Sequence, residues 1–322
     1  MEQVIIVGGG PCGIAAAIAC KQAGFDPLVI EKGSIVQSIY QYPTYLVFHS
    51  TSENLEIGNY PFMSVQEKPT RQEALQYYRT VAEREQLRVH TYEKVIAVNR
   101  DEKGFKVETK DRFGKSHAYR AQNLIMATGY FDHPNHLGIP GEDLLKVSHF
   151  YQEAHPYHQM KVAVIGGKNS AIDAALDLLR VGAEVTVIYR QDQLSPSVKA
   201  WVRPVFESMV DKGKIHMLWN TEVTRITAES ITVKDKENER TIENDFVLAL
   251  TGFRPDRAFL ENMGVQLDEQ HDAPLHDPET METNVPGLYI AGVIAAGREA
   301  NAIFIENGRH HGSKIARHML AK

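Results

Sequence analysis

At 322 residues, with 43% hydrophobic side chains, the chain is long for a single core and two domains are expected. Its 35 basic and 41 acidic residues give a formal net charge of -6, which offers no electrostatic attraction to nucleic acid or to an anionic membrane surface. No apolar run is long enough to span a bilayer, and Glu2 and the Gly8–Pro11 interruption argue against a signal peptide, so a soluble cytoplasmic protein is expected.

The first element is Val4–Val7, a short apolar run suited to a fully buried parallel strand. Gly8, Gly10 and Gly13 follow at G-x-G-x-x-G spacing. Gly8 permits the tight turn, Gly10 lets a pyrophosphate approach the backbone, and Gly13 lets the following helix pack close to the strand. Pro11 suits the first helical position, where its missing N–H is no loss. Ile14–Ala23 continues as an Ala-rich helix, Gly24 ends it, and Pro27–Ile30 is the second strand, ending at Glu31, where a carboxylate can accept from an adenosine ribose. The unit predicts dinucleotide binding. Cys12 and Cys20 are the only cysteines, and eight residues apart on one helix they are separated by about 12 Å of rise, too far to bridge. Cys20, inside an Ala/Ile helix, is expected to be a small buried hydrophobe.

Residues 89–98 and 104–109 predict short strands, with Phe113–Lys115 as a turn, and Asn123–Gly129 predicts an apolar strand ending in Ala127-Thr128-Gly129. A second nucleotide unit begins with the strand Lys161–Ile165, turns through Gly166, Gly167, Lys168, Asn169, Ser170 and Ala171, and continues as a helix over Ile172–Val181 and a strand over Glu184–Tyr189. Its spacing is G-x-K-x-x-A, so Lys168 replaces the middle glycine and can pair with a phosphate. Tyr189-Arg190 stands where an NAD site often places an acid, which favours a 2'-phosphate and hence NADP; the alternative is a solvent-facing Arg. Lys199 and Arg203 are secondary candidates for that phosphate. Asp245–Gly252 repeats the strand pattern ending in Thr-Gly, Gly287–Gly292 is a further strand, and Glu299–Leu320 predicts a mostly helical end.

With these motifs in this order, the chain resembles the flavoproteins with two dinucleotide-binding domains, the class that includes low-molecular-weight thioredoxin reductases. The resemblance implies an α/β fold of two Rossmann-like, three-layer domains: an FAD domain from residues 1–136 and 256–322, and an NADPH domain, residues 137–255, inserted into it. Hinges would then lie near 137 and 255. It implies FAD contacts at Gly8, Gly10, Pro11, Cys12, Gly13, Glu31, Lys32, Gln41, Val95, Ala127, Thr128, Gly129, Gly292, Val293, Ala302 and Ile303, with the backbone of Asn301–Phe304 at the flavin edge. NADPH contacts are implied at Gly166, Gly167, Lys168, Asn169, Ser170, Tyr189, Arg190, Lys199 and Gly252. By analogy, a homo-oligomer (dimer or higher) is expected.

Three departures narrow the activity. His149–Met160, where thioredoxin-reductase-like enzymes carry C-x-x-C, has no cysteine; residues 32–60, where glutathione-reductase-like enzymes carry a cysteine pair, have none; and Val293 replaces the acid that the class places after Ala291-Gly292. Together with G-G-G-P-C-G, G-G-K-N-S-A-I-D-A-A, A-G-V-I-A-A-G, I-E-N-G and Ile39–Thr44, this is similar to the YpdA-type flavoproteins, proposed bacillithiol-disulfide reductases. That resemblance implies NADPH-dependent reduction of a small-molecule disulfide, with Cys12 as the candidate redox cysteine. At the second position of a helix a thiol is acidified by the dipole, whereas a bound pyrophosphate opposes this; the alternative is a small residue packed in the loop.

The chain has fourteen His, including His155 and His158, but only two Cys and no H-E-x-x-H, so no metal is expected. His49, His149 and His310 are candidate proton donors to a leaving thiolate. Tyr40, Tyr42 and Tyr45 around Pro43 either cover the flavin or pack. Two further readings stand beside the disulfide reductase: a thioredoxin-reductase-like ferredoxin or flavodoxin NADP reductase, which needs no cysteine, and a non-enzymatic NADPH-sensing module. A flavin monooxygenase is disfavoured, since Gly141 and His149 are eight apart and do not make F-x-G-x-x-x-H.

Overall fold

The computed structural model describes residues 1–299 and 302–322. Asn301, expected at the flavin edge, lies outside the described residues. Two compact units are present: residues 1–133 with 253–322, and residues 134–252 between them in the chain.

The first unit opens with β1 (Glu2–Val7), α1 (Pro11–Gln22) and β2 (Pro27–Ile30), followed by α2 (Gln37–Tyr40), α3 (Arg71–Arg84), β3 (Arg88–His90), β4 (Glu93–Asp101), β5 (Gly104–Asp111) and β6 (Ser116–Met126). β1 lies between β2 and β6, parallel to both. Helix α3 starts in a reciprocal capping box between Thr70 and Glu73. β6 begins earlier than the expected strand because it pairs with β5 as well as with β1. Its first half runs antiparallel to β5 across a tight turn at Gly114, and its last residues run parallel to β1.

The second unit holds β7 (Val147–Ser148), β8 (Lys161–Ile165), α4 (Asn169–Arg180), β9 (Glu184–Ile188), α5 (Arg203–Asp211), β10 (Ile215–Leu218), β11 (Glu222–Ile226), β12 (Ser230–Lys234), β13 (Glu239–Glu243) and β14 (Phe246–Ala249). Five strands form a parallel sheet in the order β10-β9-β8-β14-β7, and β11-β12-β13 form an antiparallel one. β14 is apolar throughout and β8 is apolar and buried from Val162 on, as central parallel strands are.

The chain then returns to the first unit through α6 (Arg257–Asn262), β15 (Leu288–Ile290), α7 (Ile305–Gly308) and α8 (His311–Ala321). β15 adds to the free side of β6, parallel to it. The helix expected over Glu299–Leu320 is therefore shorter and broken. Asn307 accepts from the Phe304 amide at 2.8 Å and donates to the Ala302 carbonyl at 2.9 Å, so a side chain takes the backbone groups that a continuous helix would use. α8 packs on α1 through small residues, and a Cβ at Gly312 would enter the backbone of Ala16. One core combines α1 (Ala16, Ala17, Cys20) and α8 (Ile315, Ala316, Met319) with the sheet.

Candidate functional site

The first glycine turn is shaped by close backbone approach. Gly8 has φ of 109°, and a Cβ there would press on the Ala127 carbonyl, while a Cβ at Gly13 would overlap the carbonyl oxygen of Gly8. Gly10 differs: among the described residues nothing lies within 4 Å of the place its Cβ would occupy. That open space sits at the start of α1, with Pro11 at its first position and no side-chain cap, so first-turn amides remain for an anion.

Glu31 is buried at the end of β2. Its two oxygens accept from the amides of Gly9 (2.6 Å) and Gly33 (2.7 Å). Burial raises its pKa above the ordinary carboxylate value, and these two N–H donors oppose the rise. The carboxylate therefore ties the loop to the turn at Gly33, and each oxygen keeps a lone pair for a ribose hydroxyl. Among the described residues the buried Gln41 Oε1 has no hydrogen-bond partner, the mark of a place for a further polar group. Lys32 is engaged by Asp132 at 2.7 Å. Val95 is a core residue of β4 and has only its backbone to offer.

Ala127, Thr128 and Gly129 follow β6, and the Ala127 amide donates to the Val7 carbonyl at 2.8 Å. Gly129 (φ 67°) faces Val293, 3.9 Å from its Cβ position. Val293 opens a single 3-10 turn, Val293–Ala296, so the side chain here is apolar where the class has an acid. Ala302 and Phe304 donate their amides to the Glu299 carbonyl and to Asn307, so those two N–H groups are used within the chain; Ile303 packs beside the core.

Cys12 lies against two glycines. A Cβ at Gly308 would be 2.9 Å from its sulfur, and one at Gly292 would be 3.0 Å from it. Burial pushes the Cys12 thiol up to about 12, so desolvation outweighs the acidifying effect expected of a helix start. Cys20 is fully buried, and burial likewise pushes it up to about 12. His311, whose role sequence reasoning missed, accepts the Gly292 amide through Nδ1 at 3.2 Å.

In the second unit Gly166 has φ of 145° and a Cβ there would press on the Leu250 carbonyl, while one at Gly167 would run into the Tyr189 ring. Lys168 precedes α4 as its N-cap residue and is exposed, as is Ser170. Asn169 clamps a neighbouring loop, donating to Ser197 O at 2.9 Å and accepting from the Lys199 amide at 3.0 Å. Arg190 is exposed, and the half-buried Tyr189 packs edge-on to Trp219. The Lys199 ammonium lies 5.9 Å from the Trp201 ring centre. Arg203 is paired with Glu207 at 2.8 Å. Gly252 (φ 92°) sits beside Asn135, whose carbonyl accepts from Thr251 Oγ1 at 2.6 Å.

The other candidates separate. Tyr40 and Tyr45 are exposed, whereas Tyr42 packs edge-on to Phe131 and Phe48. His149 and His136 each contact Glu142 at 3.2 Å, and their ligand-capable atoms lie within 4.8 Å of one another. His310 is exposed beside Arg309, and His49 is exposed. His158 contacts the Val181 carbonyl at 2.6 Å, and His155 begins a short 3-10 turn. Among the described residues no helix is long and apolar enough to cross a membrane.

Comparison with known proteins adds the following. Residues 5–292 match the profile of the pyridine nucleotide-disulphide oxidoreductases. The chain is 51% identical over 317 residues to the bacilliredoxin reductase Bdr of Bacillus subtilis, covering 98% of this chain and 96% of that protein. Its structure is similar to the bacillithiol disulfide reductase Bdr (YpdA) of Bacillus cereus, with a TM-score of 0.98, 50% identity and 99% of both chains covered. The Staphylococcus aureus protein of that description gives a TM-score of 0.95 and 48% identity over 99% of this chain and 98% of that one.

Proposed function

The chain belongs to the pyridine nucleotide-disulphide oxidoreductase family, a flavin-dependent class of enzyme, and from that premise we propose that it reduces bacillithiol disulfide with NADPH through FAD. The observation that carries this is the pair of glycine turns, one in each unit, combined with the absence of any cysteine able to pair with Cys12. The balanced reaction consumes NADPH, a proton and one disulfide and yields NADP+ and two thiols. FAD, when bound, supplies the hydride-accepting ring and passes two electrons to the disulfide.

The residues of the chain bind and orient. The start of α1 and the open face of Gly10 receive a pyrophosphate, Glu31 receives a ribose, and Gln41 offers its unpartnered oxygen or, with its amide turned, a donor. Residues 1–136 and 256–322 are assigned to FAD and 137–255 to NADPH, with Arg190 and Lys199 toward the 2'-phosphate. Cys12 is the candidate redox thiol, and it must first lose its proton. A cytoplasmic homo-oligomer is the expected form. A second reading, a bacilliredoxin as the disulfide acceptor, is favoured by what the Bacillus subtilis relative is called. Ferredoxin reduction and NADPH sensing are set aside because the bacilliredoxin reductase is 51% identical to this chain, against 29% for a ferredoxin–NADP reductase of Ignicoccus hospitalis over a similar span.

The test is rapid mixing of the FAD-loaded protein with NADPH and then with bacillithiol disulfide. Flavin reduction followed by reoxidation with release of thiol is expected; reduction without reoxidation by any disulfide would refute the assignment. Cys12→Ser is expected to keep the first half-reaction and lose the second. Unchanged second-half kinetics would end the cysteine's role.

A further inference from the structure

The Gly292 amide donates to His311 Nδ1 across 3.2 Å. A donor needs a lone pair opposite it, so in this arrangement Nδ1 carries no proton and the ring is the neutral Nε2–H tautomer. Its surroundings agree. Burial, together with the facing His276, Lys314 and His310, pushes the His311 pKa down to about 4.

Gly292 has φ 78° and ψ -158°, a conformation reserved for glycine, and it is buried against Cys12. His311 begins α8, whose next residue, Gly312, rests on Ala16 of α1. One imidazole thus ties the turn after β15 to the first turn of α8, and both lie on the helix that follows the first glycine loop.

We propose that His311 is a positioning residue for FAD, fixing the Gly292–Val293 turn through its Nδ1 at the chain position where an apolar Val replaces an acid. The proposal rests on the reading of the first unit as the FAD site. What the turn requires is an acceptor: without one, a buried amide is left unpaired.

Two measurements on the full chain test it. In apoprotein labelled with 15N-histidine, the His311 ring at pH 7 is expected to show an unprotonated Nδ1; a protonated Nδ1 overturns the proposal. FAD affinity and the visible flavin spectrum are then compared for wild type, His311→Asn, which places an oxygen near the Nδ1 position, and His311→Leu, which does not. Affinity is expected to fall about tenfold in the Leu variant, as for one orphaned buried amide, and by under about threefold in the Asn variant. The flavin spectrum is expected to shift only in the Leu variant. Equal behaviour of the Leu variant and wild type, or an Asn variant as impaired as Leu, overturns the proposal. If the Leu variant does not fold, the ring tautomer and the Asn variant still decide. A wild-type chain that takes up no FAD refutes the cofactor reading of the first unit, and the proposal with it; wild-type binding with no difference between Leu and Asn refutes the proposal alone.

Discussion

Glu31→Gln is expected to loosen the first glycine loop by an amount that follows from its two hydrogen bonds. In the wild type one oxygen takes the Gly9 amide at 2.6 Å and the other the Gly33 amide at 2.7 Å. A glutamine keeps one oxygen and turns an NH2 group toward the second amide, so a buried donor faces a donor. Bonds to a charged acceptor contribute about 1.5–3 kcal/mol and neutral ones about 1, so one bond weakens by roughly 1 kcal/mol and the other is lost, leaving an unpaired amide that costs about 1–3. Against this stands the desolvation of the carboxylate, which raises its pKa and which a neutral amide largely avoids. The net loss is about 2 kcal/mol, or about 4–8 °C in the melting temperature of a domain of 150–250 residues. Thermal unfolding of the apoprotein followed by circular dichroism measures it, and FAD titration of the same samples measures the loop. A melting temperature within about 1 °C of wild type, with unchanged FAD affinity, would refute the reasoning.

Arg190→Ala is expected to lower kcat/KM for NADPH about tenfold or more, the scale of one charge-assisted phosphate contact, and to leave NADH within about twofold. Equal losses with both nucleotides, or a wild-type preference for NADH, would refute a 2'-phosphate role. The pH dependence of stability follows from His311, whose ordinary value of 6.5 is lowered to about 4 in the folded chain. A depressed imidazole contributes stability that is fully present above 6.5 and is lost as the pH falls from there toward 4, at most about 3 kcal/mol at about 1.4 kcal/mol per unit. The unfolding midpoint of wild type should therefore fall relative to that of His311→Asn on acidification across that window. A gap between them that stays constant from pH 7 to about 4.5 would refute this.

Much of the fold was legible because buried parallel strands are continuous apolar runs. Pro27–Ile30 and Lys161–Ile165 are strands over the very residues read from sequence. The glycine positions were legible for a related reason, since positive φ and close backbone approach at Gly8 and Gly166 leave no room for a Cβ. What could not be read were side chains whose partners are set by the tertiary fold. Asn169, an implied NADPH contact, clamps Ser197 and Lys199; Glu31 looked like a ribose ligand and also holds Gly9; His311 drew no role from the sequence. Residue type gives hydrogen-bonding capacity, and only the fold assigns the partner. The C-terminal segment was read as mostly helical and is so over Ile305–Gly308 and His311–Ala321, but its start was set by local side-chain bonds, since those of Asn307 hold Ala302 and Phe304 outside the helix.

Cys12 shows how the two kinds of reading constrain each other. Elimination picks it out, because no other cysteine can serve in a relay. Packing supplies an independent reason for a small residue at that point, since Gly292 and Gly308 close on its sulfur and a bulkier side chain would press on both. A serine meets the same packing need, so the fold does not by itself require a thiol. With burial pushing the thiol up, the thiol rather than the thiolate is the favoured form of Cys12 at pH 7. A redox role for Cys12 therefore demands either a base at the sulfur or movement of the Gly292–Gly308 seam, whereas electron transfer from flavin to disulfide without Cys12 demands neither. Since the Gly292 side of that seam is held by His311, the route by movement must first break the bond between the Gly292 amide and His311, whereas a base at the sulfur leaves that bond in place.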